Sequence, residues 1–65
     1  MKTGDKVYTV NNKTGKVDLW VFNGYMPTNR GLLAHLSNGR KYCFLPVRCV
    51  FETEIAAMKI ATTHN

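Results

Sequence analysis

Four side chains in this sequence are of the kind that hold zinc: His35, Cys43, Cys49 and His64. Their spacing argues against it. Cys43 and Cys49 stand six positions apart, whereas finger-type sites place roughly two to four residues between paired cysteines. His64 falls in a terminal stretch expected to fray. A nucleophilic Cys–His pair fares no better, because strand parity puts His35 and Cys43 on opposite faces of a hairpin and no acid stands by to orient the imidazole. The carboxylates Asp5, Asp18, Glu52 and Glu54 are scattered, and the last two sit where a helix begins, so no acid–base pair is defined. The glycines are single turn residues, not a phosphate-cradling loop. These residues point to a protein that is not an enzyme and uses neither metal nor cofactor.

The aromatic and basic residues make a better constellation. In "DLWVF" the residues Leu19, Trp20, Val21 and Phe22 are apolar without a break, so both faces of that strand need something to touch. Trp20, Phe22, His35, Tyr42 and Phe44, with Arg30, Arg40 and Lys41, would set flat π surfaces beside cations. Bases stack on such surfaces at roughly 1–3 kcal/mol each, and neighbouring cations neutralise phosphate. The same rings would equally serve as core beneath a helix, and composition does not separate the two readings. A second constellation is "NGYMPTNRG", residues 23–31, read as a loop longer than a hairpin needs. Tyr25, Met26 and Arg30 on it are of the types that protein interfaces prefer, although an ordinary connecting loop has the same length.

The elements that must position these residues are short. Sixty-five residues make one domain, 1–65, near the lower limit for a chain that folds alone. The formal charge is +5, from nine Lys and Arg against four Asp and Glu, which favours polyanionic partners; the cations are dispersed, which also suits plain solubility. The beginning "MKTGDKVYTV" lacks the apolar core of a secretion signal, no apolar run approaches the ~20 residues of a membrane span, and two cysteines make no disulfide framework. A cytoplasmic setting is expected. Frequent turn signals between β-branched and aromatic segments predict strands near 6–10, 16–22, 31–37, 40–45 and 47–51. Asn38-Gly39 predicts a two-residue type I′ turn with Ser37 facing Arg40, Leu36 facing Lys41, His35 facing Tyr42, Ala34 facing Cys43 and Leu33 facing Phe44. Parity then gives an aliphatic face of Leu32, Ala34, Leu36, Cys43 and Leu45. The opposite face carries Leu33, His35, Ser37, Arg40, Tyr42 and Phe44. Strand 16–22 is expected to divide likewise, with Val17, Leu19 and Val21 against Asp18, Trp20 and Phe22. Thr53 is placed as an N-cap, Glu54 complements the helix dipole, and a helix is expected over 54–61. That helix is apolar nearly all round, so it is expected to plug the fold, cover the aromatic face, or meet a second copy of the chain through Ile55 and Met58.

The opening "GDKVYTV", the turn "NNKTGK" and "VDLWVF" resemble the start of SH3-like small barrels, including KOW-type modules, on Gly4, Asp5, Val7, Val10, Gly15 and Val17. The resemblance covers about the first 22 residues and implies a barrel. The glycines that mark the KOW turn are not all present, so nucleic-acid binding is not carried over by it. Separately, "LPVRCVFETEIAAMKIA", residues 45–61, resembles the endings of small phage and prophage accessory proteins. That resemblance implies a job such as blocking a host enzyme, binding a nucleotide defence signal or adjusting transcription, in the host cytoplasm. The sequence reading is therefore a mainly β fold, a small SH3-like barrel of about five strands with a short carboxy-terminal α-helix. Its expected function is non-enzymatic binding of an anionic partner, single-stranded nucleic acid or a nucleotide, with self-association into a homo-oligomer. The alternatives are inhibition of a host enzyme through the 23–31 loop, and a structural subunit with no ligand.

Overall fold

The computed structural model describes residues 1–63, so His64 lies outside the described residues. The chain forms four strands, β1 (Lys6–Val10), β2 (Val17–Thr28), β3 (Gly31–Asn38) and β4 (Lys41–Pro46), then a 3-10 turn (Val47–Cys49) and one helix, α1 (Glu54–Thr63). The strands make an antiparallel open sheet in sequence order. Barrel closure is not detected; instead a single bridge, Tyr8 to Phe51, returns the chain to the β1 edge through two backbone hydrogen bonds of 2.8 Å. The expected fifth strand over 47–51 is therefore corrected to a 3-10 turn plus that bridge. Pro46 has no N–H to continue the ladder, and the Val50 N–H folds back to the Val47 carbonyl at 3.1 Å.

The 23–31 segment is also corrected, from loop to strand. β2 continues to Thr28, and only Asn29 and Arg30 separate it from β3. Its pairing with β3 shifts between Phe22 and Gly24. Asn23 is the extra residue of this β-bulge, and Gly24 takes a φ of +137° there, which glycine adopts without the Cβ clash. The bulge places Phe22 and Tyr25, three positions apart, on one face of the sheet, with ring centroids 4.8 Å apart and nearly edge-on. "NG" at 23–24 is thus a bulge signal where a turn was read.

The β3–β4 turn sits one residue later than expected. Asn38 pairs with Lys41, Ser37 with Tyr42, Leu36 with Cys43, His35 with Phe44 and Ala34 with Leu45. Gly39 alone has positive φ, +62°, the pattern of a type II′ turn with glycine first, not of type I′. Both strands keep their faces, because the pairing moves by two positions.

One face is core: Val7, Phe22, Ala34, Leu36 and Val50 are buried together, with Met1, Trp20, Cys43, Leu45 and Val47 packed around them. Thr53 caps α1, its Oγ1 accepting the Ala56 N–H at 3.2 Å. The helix lies against β1 and β2 on the buried Ala57 and Ala61, which stand outside the core cluster. It does not plug the core, and Ile55 and Met58 remain exposed.

Truncating the largest fully buried side chain tests this arrangement. Phe22→Ala should cost about 3–5 kcal/mol, comparable with the whole stability of so small a domain, so the variant should lack a cooperative urea transition. Tyr42→Ala, on the open face, should move the urea midpoint by no more than about 0.5 kcal/mol equivalent.

Candidate functional site

The face of β2–β4 that turns away from the core is built in three rungs. Register aligns Val21 with Ser37 and Tyr42, Gly24 with His35 and Phe44, and Met26 with Leu33 and Pro46. Lys6 extends the first rung on β1. In the middle rung His35 stacks on Phe44, centroids 4.6 Å apart and planes 12° from parallel. Tyr42 stands edge-on to the imidazole at 6.0 Å and is 71% exposed. Gly24 offers no side chain beside His35, and a Cβ there would meet nothing within 4 Å. The result is an open floor between Val21 and Met26, walled on one side by the His35–Phe44 stack.

Two hydrogen bonds hold the end of this face near the β3–β4 turn. The Asn23 side-chain amide donates to Ser37 Oγ at 2.8 Å, and that of Asn38 donates to the Leu19 carbonyl at 3.1 Å. The four carboxylates are elsewhere. Asp5 Oδ2 accepts the Lys2 N–H at 2.8 Å, Asp18 pairs with the inward Thr9, Glu52 meets the Met1 ammonium at 3.4 Å, and Glu54 begins α1. Cations stand in the turns at the ends of the face, Arg40 between β3 and β4 and Arg30 between β2 and β3. The expected Lys41 instead alternates with Tyr42 and falls on the face of Cys43 and Leu45, because side chains along β4 point to opposite sides in turn.

The structure brings together only part of the expected aromatic platform. His35, Tyr42 and Phe44 share the open face, but Trp20 and Phe22 are on the other side. Phe22 pairs with Leu36 and is 1% exposed. Trp20 pairs with Val7, and its Nε1 donates to the buried Thr9 Oγ1 at 2.9 Å. The expected division of strand 16–22 is thus inverted: Val17, Leu19 and Val21 share the face of His35. Leucine and valine there are as apolar as tryptophan and phenylalanine, so hydropathy alone did not orient the strand. The loop constellation also separates, since Tyr25 pairs with Ala34 on the core side while Met26 pairs with Leu33 on the open side. Ile55 and Met58 line a shallow apolar groove on α1 with Lys59 and Thr62. Gly24, Pro46 and Arg48 were not singled out by the sequence reading, which placed Leu33 on this face and Val21 on the other. A glycine inside a β-rich run was the available signal for Gly24, because a bulge resets which residues share a face.

Among the described residues no three of His, Cys, Asp and Glu stand together as metal ligands, and both cysteines are free. No described helix is long and apolar enough to cross a membrane. No protein-family model matches the chain, and neither a curated protein nor a solved structure matches it significantly.

The two thiols differ in surroundings. Cys43 is half-buried against the core, and burial raises its pKa above the ordinary thiol value, while Cys49 is exposed in the 3-10 turn. The thiolate is the reactive form, so raising the pKa lowers the reactive fraction at a given pH. With a colorimetric disulfide reagent near pH 8, Cys49 should react first and Cys43 in a separate, slower phase. Denaturant should merge the two phases.

Proposed function

We propose that this chain is a small SH3-like binding module that holds single-stranded nucleic acid, or a nucleotide, on the open face of its sheet. The observation that carries this reading is the His35–Phe44 stack beside the exposed ring of Tyr42, on rungs with no carboxylate and with cations at both ends. Exposed rings give bases a surface to stack on, and Lys6, Arg40 and Arg30 supply charge for phosphate. The open floor at Gly24 leaves room for a base to lie flat against the imidazole stack. No step of chemistry is needed, and the ligand is held by stacking and charge alone.

The SH3-like part of the proposal is supported by element order. Four antiparallel strands, a 3-10 turn and a return to the β1 edge at Phe51 match the order of a small barrel whose last strand is reduced to one pair. A phage-type accessory role in a host cytoplasm belongs to the same reading and rests on the resemblance of residues 45–61. The alternative, inhibition of a host enzyme through residues 23–31, rests on Tyr25, Met26 and Arg30; Tyr25 and Met26 are both exposed but stand on opposite faces of β2.

The test is fluorescence anisotropy of a dye-labelled oligothymidylate of roughly ten nucleotides. With three or four phosphate contacts, affinity should fall roughly twenty- to fifty-fold between about 50 and 200 mM salt. Tyr42→Ala should weaken binding by about 1–3 kcal/mol with folding intact, whereas Trp20→Phe should leave binding unchanged. Absence of binding at low salt, to the oligomer and to nucleotides alike, overturns the proposal.

A further inference from the structure

Beyond the third rung of the open face lies a cleft of ≈ 480 Å³ lined by Thr28, Arg30, Leu32, Leu33, Pro46 and Arg48, among others. Two exposed arginines line it from separate elements, Arg30 from the β2–β3 turn and Arg48 from the 3-10 turn. Neither has an ion pair among the described residues, and no carboxylate lines the cleft. Two cations lining one cleft raise its positive potential, and apolar walls such as Leu32, Leu33 and Pro46 focus that field. An anion seated there meets charge from both sides.

The turn that presents Arg30 is fixed by Thr28. Its hydroxyl donates to the Gly31 carbonyl at 2.7 Å, and its oxygen accepts the Arg30 N–H at 3.3 Å. Leu33 and Pro46 belong both to the third rung and to the cleft wall, so the cleft opens directly off the aromatic face. From Lys41 to Pro46 along β4 is about 17 Å at the usual strand rise. A ligand lying on the rungs therefore has one basic end at the β3–β4 turn and another in the cleft.

We propose that the Arg30–Arg48 cleft is a phosphate-binding site that seats the terminal phosphomonoester of the strand held on the open face. The inference rests on the binding reading above and adds to it a polarity and a preferred end group. A terminal phosphate suits the site because it carries close to two negative charges near neutral pH over three free oxygens, whereas an internal diester carries one charge over two.

The experiment has two arms that fail separately. Backbone amide shifts are followed by NMR during titration with inorganic phosphate and pyrophosphate. Anisotropy then compares one oligothymidylate with and without a 5′- or 3′-phosphate. The proposal expects shifts confined to residues 28–33 and 46–48, and about tenfold tighter binding of one phosphorylated oligomer, the size of one charge-assisted contact. Both effects should disappear in the Arg30→Ala/Arg48→Ala double variant, whose changes lie at exposed positions. Equal binding of all oligomers, with no phosphate shifts in the cleft, overturns the proposal and leaves the aromatic face standing. Phosphate shifts in the cleft without any oligomer binding keep the anion site but overturn its assignment to a strand end.

Discussion

The bulge at Asn23–Gly24 is the constraint on which the rest of the molecule depends. β2 is the longest strand, and it must serve β1 with its first half and β3 with nearly all of its second. A strand of strict alternation would put Phe22 and Tyr25 on opposite faces. One extra residue resets the alternation, so Phe22 and Tyr25 both turn towards the core and Gly24 falls on the open face beside His35. Glycine carries the bulge because its φ of +137° is costly for any side chain with a Cβ. The same residue thus bends the strand, seals one face and leaves a hollow in the other.

The division between the faces follows from how little chain there is to bury. The core is a small cluster around Phe22, Leu36 and Val7, completed by Val50 from the returning segment. α1 is spent against β1 and β2, where its buried residues are the alanines Ala57 and Ala61. Among the described residues no element covers Val21, Tyr42 and Phe44, and all three are exposed. Exposed surface of that kind, in a domain with little stability to spare, marks interaction sites more often than accident.

Charge is distributed in keeping with that surface. The carboxylates Asp5, Glu52 and Glu54 are used near the amino end, the returning segment and the start of α1, where backbone N–H groups, the Met1 ammonium and the helix dipole receive them. Two of the cations, Arg40 and Arg30, stand in the turns at either end of the open face, which is apolar in the middle.

Local chemistry in the sequence determined much of the outline. The positions of β1, β3, β4 and α1, the Thr53 cap and the faces of β3 and β4 follow from turn residues, capping preference and period-two alternation, all of which act within a few residues. The pairing of His35 with Phe44 on one surface was within reach of that reasoning, because both lie on one hairpin. Tertiary structure decided what local preference leaves equal. Leu19 and Val21 compete with Trp20 and Phe22 for the core on nearly equal hydropathy, and only cross-strand pairing with Leu36 and Val7 chooses between them. Whether "NG" at 23–24 turns the chain or bulges it depends on β3 arriving alongside. The meeting of Arg30 and Arg48 depends on two turns far apart in sequence closing over the same end of the sheet. Such long-range contacts carry no local signature, since each residue's own neighbours are satisfied either way.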